Sequence, residues 1–355
     1  MPREKRIIYL TNLVLLIILF AILTILEAAG ILTGYAMTIL RLVTINVILA
    51  TSLNITVGNL GQITLGHAGF MSIGAYTAAL FAKNVGLSGT GGYLVGLLLA
   101  GLCAGIFGIA IGVPVLRLHG DYLAIVTLAF GEIIRVLIEY FDFTGGAQGL
   151  NGIPRMQNFS VMFVVAVVSV TLMYSVMTSR HGRAILSIRE DEIAAQSSGI
   201  NVTFYKTMAF TLSSFFAGVA GAMQAANIGT IGAGDFGYNR SFDILVMVVL
   251  GGMGSFTGAI LSATVLTILP EMLRGFSDYR MIVYSLLLII IMIFRPEGLL
   301  GRKEFHISKI MQSLKKKFGK DKLVTADLGQ DIDKAELNDR NQINTPDDSS
   351  KGRGA

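Results

Sequence analysis

IIYLTNLVLLIILFAILTIL, residues 7 to 26, is twenty residues long and carries no charge. At the rise of an α-helix such a stretch covers roughly 30 Å, the thickness of a bilayer's hydrocarbon core. Val161 to Thr178 reads the same way, and Met281 to Phe294 is a shorter version of it. Across the 355 residues, hydrophobic types make up 53% and charged types 14%, with a mean hydropathy of +0.67. So few charges cannot cover the surface of a water-soluble domain of this size. The sequence therefore predicts an all-α protein, a polytopic transmembrane helix bundle of about eight to ten membrane segments, some of them broken or re-entrant.

Working outward from residues 7–26, apolar segments fall at 7–29, 34–57, 61–83, 92–116, 121–141, 160–179, 204–227, 242–272 and 280–294. The first is too long for the apolar core of a secretory leader and no small-residue cleavage site follows it, so it is expected to be a retained span. The sole cysteine, Cys103, lies in an apolar run and reads as a small packing residue, so neither a disulfide nor a thiolate metal site is expected.

Charge placement orients the segments. Arg3, Lys5 and Arg6 precede the first, and Arg180, Arg183, Arg189 and Lys206 lie in the loop 180–206. Residues 302–322 carry eight basic residues against two acids. Basic flanks mark cytoplasmic ends, a plainer reading of the last cluster than nucleic-acid binding. Six spans bring the chain from the N-terminus back to the same side at 180–206, but three more would leave the basic C-terminal cluster outside. The conflict disappears if 242–272 enters and leaves on one face, broken at Gly251-Gly252-Met253-Gly254-Ser255. Three regions are expected: a membrane domain over 1–301, a basic amphipathic cytoplasmic segment over 302–322, and a disordered tail over 323–355. Ile307, Ile310, Met311, Leu314 and Phe318 share a helical face suited to a lipid surface. After Ala326 the sequence is polar and lacks aromatics.

Small residues recur at helical spacing in two spans: Gly92, Gly96, Ala100, Ala104, Gly108 and Gly112 in one, Ser214, Gly218, Ala222 and Ala226 in the other. In lipid, such stripes let helix backbones approach closely. They predict a dense bundle or close contact with a partner subunit.

In the loop 180–206, Ser187-Ile-Arg189-Glu190 fits a capping box, with Ser187 as N-cap. Glu190, Asp191 and Glu192 would sit at the positive end of the helix dipole, and Gly199 where a left-handed residue would end the helix. A short charged helix capped at both ends, between two spans, suits docking of a cytoplasmic partner. Within the segment 61–76, Gly66, His67 and Gly69 are candidates for a translocation path, His67 being an ionisable residue inside a span. Its glycine neighbours equally suit close packing around a neutral, hydrogen-bonded imidazole. Gly251, Gly252 and Gly254 join the candidates as the break in 242–272. Arg41 must snorkel or find a carboxylate on another helix, while Glu132, Arg135 and Glu139 can pair among themselves. No GxxxxGK[ST], HExxH or GxSxG pattern occurs, so catalytic residues and a metal site are not expected.

Six segments taken together, GQITLGHAGFMSIGAY (61–76), RLHGDYLAIVTLAFGEIIRVL (117–137), TGGAQGLNGIPR (144–155), GRAILSIREDEIAAQSSGIN (182–201), LVMVVLGGMGSFTGAILSA (245–263) and RPEGLLG (295–301), resemble the LivM-type permease subunit of branched-chain amino acid ABC importers. The resemblance implies a bacterial or archaeal cytoplasmic-membrane protein with both termini in the cytoplasm. Its implied partners are a LivH-type permease, two cytoplasmic ATPases, an extracytoplasmic substrate-binding protein and membrane lipid, with no nucleic acid. ATP and magnesium would sit on the ATPases, none on this chain. The ATPase-coupling interface would comprise Ser187, Arg189, Glu190, Asp191, Glu192, Ala194, Ala195 and Gly199, and transport of Leu, Ile or Val would proceed by alternating access. Similar importers carry urea, short amides or other amino acids. A stand-alone channel or ion-coupled carrier is the rival from another class.

Overall fold

The computed structural model describes residues 34–85, 89–118, 120–156, 158–276, 279–295, 298–299 and 301. The first apolar segment (7–29), the basic amphipathic segment (302–322) and the tail (323–355) lie outside the described residues. All described residues belong to one unit, Phe20–Phe305.

Helix α1 (Gly34–Asn54) ends in a π-helical turn, Ile55–Asn59. Residues 60–66 run without helix to α2 (His67–Val85), followed by α3 (Thr90–Val115), α4 (Asp121–Tyr140) and α5 (Phe159–Thr178). Two short helices, α6 (Arg180–Glu190) and α7 (Glu192–Ser197), lead into α8 (Val202–Ile228). The remaining helices are α9 (Tyr238–Gly251), α10 (Phe256–Met272) and α11 (Arg280–Phe294). Strands β1 (Leu150–Asn151) and β2 (Thr230–Ile231) pair antiparallel, Leu150 opposite Ile231. By length and composition, five described stretches can cross a membrane: Gly34–Asn59, Thr90–Val115, Phe159–Thr178, Val202–Ile228 and Phe256–Gly275. Leu94, Leu98, Leu102 and Ile106, spaced by four along α3, stand exposed, as an apolar lipid-facing stripe should.

The small-residue stripes do what their spacing predicts. A Cβ on Gly101 would come within 2.8 Å of the Phe215 ring, and one on Gly108 within 2.8 Å of Ser214. A Cβ on Gly74 would strike the Gly218 backbone, and one on Gly221 would strike the Met71 carbonyl. Helix α8 is thus gripped by α2 on one side, backbone against backbone, and by α3 on another, where glycines of α3 receive the Phe215 and Ser214 side chains. Closely packed backbones gain dispersion contacts that lipid cannot supply.

Hydrogen bonds fix the directions. Asn46 Nδ2 donates to Thr267 Oγ1 at 2.8 Å and Asn54 Nδ2 to the Ser255 carbonyl at 3.1 Å, so α1 and α10 are antiparallel. Ser213 Oγ donates to the Ser52 carbonyl at 2.7 Å, and Arg41 Nη1 to Asn227 Oδ1 at 3.3 Å, so α1 and α8 are antiparallel too. The π-turn, α6 and α7 consequently gather at one end of the bundle, the Arg189 end. Residues 238–272 form a hairpin: the Gly251 and Gly258 backbones abut, and Ser262 Oγ donates to the Met247 carbonyl. The segment therefore folds back on itself, but its turn sits at the Arg189 end rather than deep in the bundle. The expectation of a non-crossing segment needs correction, because its second arm, Phe256–Gly275, is long and apolar enough to cross a membrane. Beyond α11 the chain returns to that turn, where Leu299 N–H donates to the Leu250 carbonyl at 2.7 Å.

Two further expectations need correction. The segment 61–83 is not one span, because helix begins only at His67. The Thr127 hydroxyl takes up the Leu65 N–H and the Thr56 carbonyl the Gln62 N–H, each at 3.0 Å, so part of the backbone of 60–66 is satisfied without a helical ladder. Arg41, expected to snorkel or to find a carboxylate on another helix, bonds the amide of Asn227.

Candidate functional site

At the Arg189 end the loop 180–206 is two helices, not one. Ser179 caps α6, accepting from His181 N–H at 3.2 Å. Gly182, Ile185 and Ile188 are buried at helical spacing, so one face of α6 packs on the bundle through and beyond Ser187. This corrects the capping-box reading: Ser187 lies inside α6, its hydroxyl bonded to the Ala184 carbonyl at 2.8 Å. The cap of the next helix is Asp191. In extended conformation (φ −157°, ψ 112°), its carboxylate accepts from Ile193 N–H at 2.9 Å and Ala194 N–H at 3.0 Å. The far end is as read. Gly199, at φ +83°, closes α7 with Gly199 N–H to Gln196 O at 3.0 Å and Ile200 N–H to Ala195 O at 3.1 Å.

The two helices are held to the bundle by two charged contacts. Lys206 Nζ, buried on α8, meets Glu192 Oε2 at 2.7 Å. Arg189 donates to the Gly58 carbonyl of the π-turn. Its stem lies on Gly61, where a Cβ would come 3.0 Å from the Arg189 Cγ. Its Nη1 stands equally near the position of a Cβ on Gly254. One guanidinium therefore touches both the end of α1 and the hairpin turn. Ala195 packs inward, while Glu190, Asp191, Ala194 and Gly199 face outward together with Ile193, which is 78% exposed. The exposed Ile193 side chain is thus flanked by the outward-facing carboxylates of Glu190 and Asp191.

Asn54 completes this junction and carried no signal in the sequence. Fully buried, it accepts from Gly254 N–H at 2.9 Å through Oδ1 and donates to the Ser255 carbonyl through Nδ2. Gly252 (φ +107°) and Gly254 (φ +95°) supply the left-handed backbone of the turn. Beside the junction, Gly61, Gln62, Asp121, Arg189, Glu192 and Lys206 contribute to the lining of a polar cavity of about 340 Å³.

The other candidate positions are in close-packed surroundings. His67 is buried, its Nε2 2.9 Å from Ser52 Oγ. Gly66 abuts the Thr127 backbone, and a Cβ on Gly69 would come 2.9 Å from the Gly131 Cα. Gly251 packs on Gly258, and a Cβ on Gly252 would strike the Gly301 carbonyl. On α4, Arg135 bonds Glu132 at 2.7 Å and Glu139 at 3.2 Å, the internal network expected from their spacing.

Residues 35–294 match the family described as branched-chain amino acid transport system / permease component. The chain belongs to that family. It is a multi-pass membrane protein of that family. Among its relatives is the high-affinity branched-chain amino acid transport system permease protein LivM of Salmonella typhimurium, 38% identical over 266 residues, covering 65% of this chain and 62% of the relative. LivM of Escherichia coli K12 matches with the same identity and coverage. LivH of E. coli K12 is 31% identical over 128 residues, 36% of this chain and 41% of that protein. The chain thus spans about 62% of the length of the LivM proteins it matches. No solved structure matches it.

Proposed function

We propose that this chain is one of two unlike permease subunits of an ATP-driven importer that carries branched-chain amino acids across the cytoplasmic membrane. The observation that carries the reading is family membership together with 38% identity to the LivM proteins. Similarity to both LivM and LivH supports a LivH-type partner, since two permeases of one family can pair about a pseudo-twofold axis. Two ATPases on the cytoplasmic side bind ATP and magnesium, and an extracytoplasmic binding protein delivers substrate. The Arg189 end faces the cytoplasm, and with it the basic segment after Arg302.

In this mechanism α6 and α7 are the coupling element. ATPase closure pushes on the face around Ile193 and Glu190. Asp191 and Gly199 keep α7 a defined body at the two ends, and the Lys206–Glu192 pair ties it to α8. Arg189 carries the displacement to Gly58 and the hairpin turn at once, so α1 and the α9–α10 hairpin move together. The polar cavity beside Gly61, Gln62 and Asp121 opens or closes with them, and the bundle alternates between outward- and inward-open states.

The test is purification of the tagged protein from its native membrane, identification of what comes with it, and reconstitution of that assembly in proteoliposomes. Recovery of a second permease and ATPases, with ATP-dependent leucine uptake, is expected. Solitary purification, or uptake driven by an ion gradient without ATP, refutes the reading.

A further inference from the structure

A second charged cavity lies away from the coupling end, between α4, the 3-10 turn Ala233–Phe236 and the start of α9. Its volume is about 390 Å³, and Glu132, Arg135, Asp235, Asn239, Arg240 and Asp243 contribute to its lining. It sits at mid-height: Arg240 Nη2 donates to Asn46 Oδ1 at 2.6 Å near the middle of α1, and Tyr238 N–H to Glu132 Oε1 at 2.9 Å near the middle of α4. Charges at that depth are costly toward lipid and belong against protein or a water-filled path.

The lining groups divide into those already engaged and those left over. Arg135 is held by Glu132 and Glu139, and Asp235 accepts from Gly232 N–H at 2.9 Å. Asn239 and Asp243 are exposed and make no side-chain hydrogen bond among the described residues. Arg240 spends only one of its five N–H groups on Asn46 in the described contacts. What remains is a cation and an anion three residues apart on one helix, hence neighbours about one turn apart, with an amide beside them. Exposed Tyr238 lines the cavity, and exposed Phe242, its ring centroid 6.4 Å away, extends that apolar edge beyond the lining.

We propose that this cavity is a transit site for a zwitterionic α-amino acid, with Asp243 taking the ammonium, Arg240 and Asn239 the carboxylate, and the Tyr238–Phe242 edge the aliphatic side chain. The assignment of the transported solute rests on the importer reading above, whereas the cavity's preference for a zwitterion rests on its own charges. Neither an amine nor an acid alone satisfies both members of the Arg240–Asp243 pair. Leaving one desolvated charge unmatched weakens binding steeply.

The test uses the whole importer complex with Cys103→Ser and Gly234→Cys in this chain. Gly234 is among the lining residues, and a Cβ there meets nothing within 4 Å. The rate of modification by a small charged thiol reagent is measured with leucine, with 3-methylbutylamine and with 4-methylpentanoate, and leucine uptake by the unsubstituted complex is measured in parallel. Leucine should slow labelling at least fivefold and the amine or acid less than twofold. Asp243→Asn should abolish the protection and Asp243→Glu restore it. Equal labelling rates with and without leucine overturn the site, as does a thiol that stays unreactive without ligand because the partner permease covers it. Protection without leucine uptake retains the site and refutes the importer reading; uptake without protection does the reverse.

Discussion

Asn54→Ala is the sharpest probe of the junction at the Arg189 end. The wild-type side chain is fully buried and bonds both Gly254 N–H and the Ser255 carbonyl. Alanine leaves the Gly254 N–H in a dry site with no replacement partner, whereas the Ser255 carbonyl keeps the Ala259 N–H at 3.1 Å. One orphaned group costs about 1–3 kcal/mol, so the closed turn should lose about that much relative to a locally opened one. In hydrogen exchange of the complex, that difference raises the opening equilibrium at Gly254 by roughly 5-fold to 150-fold. The amides of α3 and α8 near Gly101 and Phe215 should exchange as before, since their contact does not involve the turn. Asn54→Asp keeps the acceptor for Gly254 and loses the donor to Ser255, so it should fall between the two. Unchanged exchange of residues 252–256 in Asn54→Ala would show that the hairpin is held by α9–α10 packing alone.

The other predictions address the coupling helices and the packing stripe. Asp191→Ala should cost α7 about 1 kcal/mol through loss of two capped N–H groups, whereas Asp191→Asn should leave α7 intact, both read from exchange protection of residues 193–195. Glu190→Lys should leave the permease in the membrane but release the ATPases on purification, because it puts a cation among the carboxylates flanking Ile193; retained ATPases with normal uptake would remove Glu190 from the interface. Gly221→Val forces a branched side chain into the Met71 carbonyl and should lower the yield of detergent-stable protein at least several-fold, while Gly234→Ala should match wild type. Equal yields of the two would mean that α2 and α8 can separate freely.

The fold was legible where a single physical demand governs a whole segment. A long, mostly apolar run in lipid is held to helix by its backbone hydrogen bonds, so α3, α5, α8 and α11 begin and end within two residues of the predicted limits. The close approach of α3 and α8 likewise follows from small residues spaced by four, whereas the pairing of α8 with α2 was not foreseen. Local patterns failed where a longer-range demand overrode them. Ser187-x-x-Glu190 is a valid cap only if the preceding residues are not already helical. Ile185 and Ile188 keep α6 helical by burial, and Asp191 is left to start the next helix. The 61–83 segment broke because a hydroxyl sixty residues away, on Thr127, takes the Leu65 amide. Of the functional candidates, Arg189, Asp191, Glu192 and Gly199 take definite structural parts in the junction or in α7. Asn54 was invisible because its partners are backbone groups two hundred residues distant, and no pattern of side chains encodes them.

The holding groups at the Arg189 end read peptide atoms of the chain they grasp: Asn54 the amide of Gly254 and the carbonyl of Ser255, Arg189 the carbonyl of Gly58. Such a clasp is blind to what side chain the tip presents and sensitive only to where its peptide planes lie. Exposed Met253, at the crest of the turn, can therefore be exchanged for nearly any residue without loosening it. Adding or removing one residue between Gly252 and Ser255 rotates the planes out of register and opens both Asn54 bonds together. The tip works as a mechanical index, fixed by chain length rather than by chemistry, and its tolerance to substitution and intolerance to insertion should differ more sharply than anywhere else in the bundle.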